Sequence, residues 1–145
     1  MSRTETLKVK IFADGADLDG IAKLYKNPLI KGFTTNPTLM NKAGIKDYEA
    51  FARELLKVVP DRPVSFEVFA DDFGEMEAQA MVIASWGRNV NVKIPITNTK
   101  GASAGPLIKR LSAAGVVCNV TAIMTPAQVQ TVADALDPKT PAIVS

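Results

Sequence analysis

Short apolar runs alternate along the chain with longer segments in which apolar residues recur every three or four positions. The short runs contain few polar residues, a pattern typical of parallel strands that are covered on both faces. We predict strands at Lys8–Ala13, Lys31–Thr34, Val64–Val68, Val90–Pro95, Val116–Val120 and Ala142–Val144. Successive strand starts are roughly 22 to 34 residues apart, which is the length of one strand–helix unit with a right-handed crossover.

The intervening segments have the spacing of amphipathic helices. We predict helices at Asp17–Tyr25, Asp47–Val58, Glu75–Ser85, Pro106–Ala113 and Pro126–Leu136. In the last helix one face is formed by Val129, Val132, Ala133 and Leu136. Thr125 is its expected N-cap ahead of Pro126. Gly87 and Gly115 fall just after predicted helices, where C-capping glycines occur.

Alternating strands and helices indicate an α/β fold, either a doubly wound open sheet or a (β/α)8 TIM barrel. A barrel needs eight strand–helix units, of which this chain supplies about five and a half. The chain stops at Ala142–Ser145, which has the character of a strand just begun. We therefore expect a single (β/α)8 barrel domain over residues 1–145, truncated at its C-terminus, with no linker inside it.

The amino-acid composition limits the partners, the location and the catalytic mechanisms that the chain can have. The net charge is only +2 and the basic residues are scattered, so we expect no nucleic-acid partner. No stretch approaches about 18 consecutive apolar residues and the N-terminus lacks a signal-peptide core, so we expect a cytoplasmic protein without a membrane span. With no histidine and only Cys118, the chain excludes Ser-His-Asp and Cys-His mechanisms and an intrachain disulfide, and we expect no metal or cofactor.

Polar residues stand at the ends of the first five predicted strands. They are Asp14, Thr34, Asn36, Glu67, Lys93, Asn119 and Thr121. In a parallel fold the carboxyl ends of the strands meet at one edge, where sites form. Singly, each residue has an ordinary explanation: a turn or cap for Asp14, an N-cap before Pro37 for Asn36, and a strand-edge position for Asn119 and Thr121. Their recurrence at the same position of five strands favours a shared site.

Lys93 is the candidate nucleophile. It lies among Val92, Ile94 and Pro95, where loss of hydration disfavours the charged ammonium. A neutral amine can attack a carbonyl and form a Schiff base. The non-catalytic alternative is that Lys93 is a lysine at a strand end whose ammonium group reaches solvent. Asp14 and Glu67 are the candidate acid–base groups, and activation of Lys93 requires that they do not pair with it too tightly.

Two further motifs are interpreted as structural. Asp71 and Asp72 are adjacent carboxylates without the spacing of a calcium loop, so we expect caps and solvated turns. The stretch from Gly101 to Gly105 lacks the ending of a phosphate-binding loop, and we expect it to lead into a helix.

At these residues the chain resembles the transaldolase family. The matching segments, in the family's order, are Ile11–Ala16, Gly32–Leu39, Val64–Val68, Asn91–Pro95 and Cys118–Thr121. The Thr-Thr-Asn-Pro and Val-Lys-Ile-Pro stretches within them are quite specific together. The resemblance implies a (β/α)8 barrel of the metal-free, Schiff-base-forming class, acting on sugar phosphates in the pentose phosphate pathway.

The resemblance also implies roles. Lys93 would form the Schiff base with a ketose phosphate, Asp14 would take the proton that precedes carbon–carbon cleavage, and Glu67 and Thr121 would position a water that carries protons. Asn36 and Asn119 would bind hydroxyls of the dihydroxyacetone unit, with Thr34 supporting the site. The family's phosphate-binding arginine and serine would lie beyond Ser145, and family members are homo-oligomers.

Two alternatives stay open. Fructose-6-phosphate aldolases share the fold and the lysine, but usually carry glutamine where Glu67 stands and lack the Asn119–Thr121 arrangement. A non-catalytic sugar-phosphate-binding protein is the second. Because an open barrel exposes strand edges and apolar surface, we expect residues 1–145 alone to be poorly soluble or inactive.

Overall fold

The computed structural model describes residues 8–145. Its backbone divides within the third strand into two compact units, one ending at Ser65 and one beginning at Phe66. The elements are β1 (Ile11–Asp14), α1 (Leu18–Tyr25), β2 (Ile30–Thr34), α2 (Pro37–Lys42), α3 (Tyr48–Val58), β3 (Val64–Glu67), α4 (Phe73–Ala84), β4 (Val90–Pro95), α5 (Gly105–Ala113), β5 (Cys118–Thr121), α6 (Pro126–Ala135) and β6 (Ala142–Val144). Strand and helix alternate almost throughout, as the apolar pattern predicted.

In the first unit β2 pairs in parallel with β1 on one side and with the start of β3 on the other. Gly32 of β2 lies opposite Phe12 of β1. A Cβ atom at Gly32 would come within 2.1 Å of the Phe12 ring, so only glycine lets that ring rest against the strand. The most deeply buried apolar residues of this unit, in the sheet and in the helix packed on it, are Phe33, Ala52, Leu55, Val59 and Val64.

In the second unit β5 pairs in parallel with β4 and with β6. Just past β3, the backbone N–H of Val68 donates to the carbonyl of Lys93 at 3.2 Å. The apolar faces of α4 and α5 are buried together with the sheet residues, and the largest fully buried side chains are Phe66, Met76, Ile94, Ile96, Leu107, Ile108 and Leu111. The fixed core positions the ends of β3, β4 and β5.

Acidic and hydroxyl side chains begin most of the helices. Asp17, Asp47 and Asp72 accept hydrogen bonds from the first turns of α1, α3 and α4. Thr125 caps α6 in a reciprocal capping box with Gln128, which confirms the predicted N-cap. These caps satisfy backbone N–H groups that have no partner within the helix.

Several predicted details differ from the structure. The short helix α2 was not predicted as an element. β1 begins at Ile11 rather than Lys8, and β5 begins at Cys118 rather than Val116. Gly115 adopts φ +82°, as expected after a helix. Gly87 is not among the left-handed glycines, since α4 ends at Ala84 and Ser85 is its C-cap.

The predicted apolar face of α6 is only partly buried. Val132 is fully buried, whereas Val129 is 45% exposed and Ala133 is also exposed. Within residues 8–145, no helix is long and apolar enough to cross a membrane. The organisation as one domain stays a prediction.

Cys118 makes the stability of this fold sensitive to alkaline pH. Its thiol is buried and burial raises its pKa from 9.0 to about 11. Well below pH 9 the thiol is neutral in both states, and as the pH rises through 9 it ionises in the unfolded chain first. Unfolding is thereby favoured progressively up to about pH 11, by about 2–3 kcal/mol in total. Urea titrations between pH 8 and pH 11 should show that the free energy of unfolding falls as the pH rises. In Cys118→Ala this fall should be smaller. Parallel pH curves for the two proteins would contradict it.

Candidate active site

Lys93 and Glu67 form a largely buried ion pair in the second unit. Glu67 is the last residue of β3 and Lys93 lies near the end of β4. The Lys93 Nζ is 3.2 Å from the Glu67 Oε2, and the two side chains are 12% and 20% exposed. The sequence reasoning required that the acids not pair too tightly with Lys93, and the structure places the Glu67 carboxylate in direct contact with it. The Glu67 carboxylate is thus within hydrogen-bond reach of the Lys93 amine, which is the geometry that proton transfer between the two groups requires.

Asn119 lies directly beside Lys93. The two residues are register partners across β4 and β5, and Asn119 is 3% exposed. Its Oδ1 accepts a hydrogen bond of 3.0 Å from the hydroxyl of Ser145. The residue pair thus presents a buried amide next to the amine, an arrangement suited to a hydroxylated ligand.

Ser145 was missed by the sequence reasoning. It follows β6, and its backbone N–H donates to the carbonyl of Val120 at 2.8 Å. The available signal was a hydroxyl residue directly after an apolar strand, the same pattern that singled out Thr34 and Thr121. With Ser145 included, each of β3 to β6 has a polar side chain within two residues of its carboxyl end.

Thr121 closes β5 opposite Pro95. Its carbonyl accepts from the N–H of Ile96 at 3.0 Å, and the next residue, Ala122, has a left-handed backbone with φ +62°. The chain turns sharply there, and the N–H of Ile123 then donates to the carbonyl of Ser145 at 3.1 Å. The backbone on both sides of this turn is held by neighbouring segments.

Asp14 and Thr34 form a second polar pair, in the first unit. They are register partners at the ends of β1 and β2, and the Thr34 hydroxyl donates to the Asp14 Oδ1 at 2.7 Å. Asp14 is exposed. The hydroxyl fixes the orientation of an accessible carboxylate, which is a requirement for a catalytic base.

Asn36 is the N-cap of α2, with Pro37 as the first helical residue. Its Oδ1 accepts from the N–H of Leu39 at 2.9 Å, so the capping alternative is confirmed. This bond engages the amide oxygen and leaves the amide nitrogen as the group that can donate to a ligand. Between these polar residues Thr35 is fully buried, and its hydroxyl has no hydrogen-bond partner among residues 8–145.

The second unit therefore brings together Glu67, Lys93, Asn119, Thr121 and Ser145, and the first unit brings together Asp14 and Thr34, with Asn36 two residues further on. All lie at carboxyl ends of parallel strands. In the described part of the chain, no three acidic, cysteine or histidine side chains are grouped to hold a metal ion.

A comparison with protein families decides the affiliation. The model described as transaldolase/fructose-6-phosphate aldolase matches residues 11–145. The chain belongs to the transaldolase/fructose-6-phosphate aldolase family. The resemblance seen in the five strand-end segments is thereby confirmed. The α/β fold class is confirmed too, because residues 8–145 hold five strand–helix units and a sixth strand of the family's (β/α)8 TIM barrel.

Curated members of this transaldolase family are similar over most of the chain. A probable transaldolase of Dehalococcoides mccartyi is 42% identical over 113 residues, which are 78% of this chain and 50% of that protein. A probable transaldolase of Streptococcus agalactiae serotype V is 40% identical over 120 residues, 83% of this chain and 53% of that protein. A probable transaldolase 2 of Listeria monocytogenes is 38% identical over the same share of this chain. The chain spans about half the length of these relatives.

Proposed function

We propose that the protein is a transaldolase, which transfers a dihydroxyacetone unit from a ketose phosphate to an aldose phosphate through a Schiff base on Lys93. The observation that carries the proposal is the buried amine of Lys93 held 3.2 Å from Glu67 and beside Asn119, in a chain of this family. Most of the amine's hydration is removed there, and a carboxylate is within reach of its proton.

The first step is imine formation. Glu67 takes a proton from the Lys93 ammonium, and the free amine attacks the ketone carbon of the substrate. The resulting carbinolamine loses its hydroxyl as water, which leaves a protonated imine. Loss of water needs a proton donor, and we assign that donor to Glu67 acting with a water held by Thr121.

The second step is carbon–carbon cleavage. Asp14 accepts the proton of the hydroxyl on the carbon next to the bond that breaks. That hydroxyl becomes a carbonyl, and the electron pair of the broken bond moves to the imine, which acts as an electron sink. An aldose phosphate leaves, and the three-carbon unit stays on Lys93 as an enamine.

Transfer reverses these steps with a second aldose phosphate. We assign Asn119 and the amide nitrogen of Asn36 to hydroxyls of the dihydroxyacetone unit, and Thr34 to holding Asp14 in place. The proposal requires neither metal nor cofactor, and it assigns the protein to the pentose phosphate pathway in the cytoplasm, as a homo-oligomer. These assignments rest on the resemblance to the family.

Covalent trapping tests the proposal. Because the matched relatives are about twice as long as the matched segment, the assay uses the natural full-length polypeptide. Borohydride added with fructose 6-phosphate should reduce the imine and leave a three-carbon adduct on Lys93, located by peptide mass spectrometry. The absence of an adduct, or an adduct on another lysine, would reject the assignment of Lys93. If no adduct forms but fructose 6-phosphate binds reversibly, the non-catalytic sugar-phosphate-binding alternative is favoured.

Product analysis separates transaldolase from aldolase. With fructose 6-phosphate alone a transaldolase should stop after one turnover, and erythrose 4-phosphate should restart it. Continuous release of free dihydroxyacetone without an acceptor would assign the protein to the aldolase branch of its family.

A further inference from the structure

The loop between β3 and α4 is fastened to α4 by its backbone. The side-chain Oε1 of Gln79 accepts from the N–H groups of Phe69 and Ala70, at 2.8 and 3.0 Å. Asp72, at the end of the loop, accepts from the N–H groups of Gly74 and Glu75 as the N-cap of α4. The loop begins directly after Glu67 and Val68, so its conformation determines the direction in which β3 ends.

The loop between β4 and α5 is a compact turn of its own. The side-chain Oδ1 of Asn98 accepts from the N–H groups of Lys100 and Ala102, at 3.1 and 2.9 Å. The backbone N–H of Asn98 donates to Ala102 at 3.0 Å, and Thr97 and Ser103 form an isolated antiparallel bridge. This loop begins three residues after Lys93, and its own hydrogen bonds hold it in a single compact turn directly after β4.

Asp71 joins the two loops. One carboxylate oxygen accepts from the Thr99 N–H at 2.7 Å and the other accepts from the Thr99 hydroxyl at 2.7 Å. Hydrogen bonds to a charged acceptor are roughly twice as strong as neutral ones, and a two-point contact also fixes orientation. We call this contact the Asp71–Thr99 clamp. The same contacts hold the pKa of Asp71 below its usual value, so the clamp stays charged at neutral pH.

We propose that the Asp71–Thr99 clamp is a positioning device for imine formation, which holds the ends of β3 and β4 in the register that keeps Glu67 against Lys93. The inference rests on the proposed function. In this role Asp71 and Thr99 act on Glu67 and Lys93 through the loops that follow β3 and β4.

A displacement of about 1 Å in catalytic geometry can cost on the order of a hundredfold in rate, whereas binding depends less steeply on it. Loosening the clamp should therefore lower the rate of imine formation at saturating substrate more than it raises KM. The strand pairing itself, including the Val68–Lys93 hydrogen bond, should survive.

The chain offers a matched control in the ion pair between Glu77 and Arg110. It joins α4 to α5, which belong to the same two strand–helix units, with Arg110 donating to both carboxylate oxygens at 2.7 to 3.1 Å. Like Asp71, Glu77 has its pKa lowered by its partner. Glu77→Ala removes a comparable surface contact but leaves both loops fastened.

The test measures the first-order rate of borohydride trapping on Lys93, together with KM and thermal stability, in the complete protein. Asp71→Ala should slow trapping about tenfold, and Glu77→Ala should change it less than about twofold. Asp71→Asn should keep most of the rate, because its amide can still accept from the Thr99 N–H and donate to the hydroxyl. Thr99→Ala should be intermediate, and Thr99→Ser should match the unmodified protein.

The outcomes separate this inference from the proposed function. If the unmodified protein shows no adduct on Lys93, the proposed function fails. If it traps normally and Asp71→Ala traps at the same rate while losing thermal stability, the clamp is only structural and the inference is wrong. Equal slowing by Asp71→Ala and Glu77→Ala would also overturn it. Should Asp71→Ala fail to fold, the comparison of Thr99→Ala with Thr99→Ser decides.

Discussion

Replacing Lys93 with methionine should lower transaldolase activity by at least about a thousandfold and abolish the borohydride adduct. Methionine fills a similar volume but has no nucleophile, so the proposed covalent route is lost altogether. Steady-state transfer rates and intact-protein mass after borohydride reduction measure both effects. Activity close to that of the unmodified protein would mean that another group carries the chemistry.

The buried ion pair requires a second variant. Removing one member of such a pair leaves the other charge without compensation, which can destabilise a protein by several kcal/mol. Lys93→Arg keeps a cation next to Glu67, but a guanidinium stays protonated and does not attack a ketone. It should be as inactive as Lys93→Met and closer to the unmodified protein in stability. Lys57→Met, at an exposed ion pair with Glu54, should leave the activity unchanged.

Replacing Asp14 with asparagine should lower the rate of transfer by about 10²- to 10⁴-fold while the Lys93 adduct still forms. The amide can accept the Thr34 hydrogen bond but cannot take the proton that precedes carbon–carbon cleavage. The protein should therefore accumulate the imine of the intact six-carbon substrate. Borohydride would then trap a six-carbon rather than a three-carbon adduct, which mass spectrometry distinguishes.

Asp17→Asn is the matched control for this prediction. Asp17 lies three residues further along the chain, and its carboxylate caps α1, a role that asparagine performs equally well. Asp17→Asn removes the same single charge as Asp14→Asn but leaves the proposed base intact. It should therefore keep full activity. Equal losses in the two variants would point to a general electrostatic effect. A three-carbon adduct in Asp14→Asn would assign the base to another residue.

Much of the fold could be predicted because its signals are local. β4 and β6 have the bounds that the apolar runs indicated, and the Thr-Pro pair at the start of α6 has the expected cap. The strand-end rule also found Lys93, Glu67 and Asn119, which the structure brings together. Parallel pairing explains this success, since it places equivalent strand ends side by side without knowledge of the loops.

The remaining features depend on contacts between distant segments. The tight pairing of Glu67 with Lys93 involves residues 26 positions apart in the chain, and nothing in either segment specifies the distance. Helix α2 is only six residues long, too short for a periodic apolar pattern. The contact between Asp71 and Thr99 could not be predicted either, because the two residues belong to different strand–helix units.

The left-handed conformation of Ala122 has a consequence for the rigidity of this strand end. An alanine costs about 1 kcal/mol or more in that conformation, a cost that glycine would avoid. Glycine, however, would also open alternative conformations to the backbone just after Thr121. Keeping a side chain there exchanges some stability for a narrower range of motion at the end of β5. At position 122, replacement by glycine would therefore relieve backbone strain but would also let the backbone after Thr121 adopt more conformations.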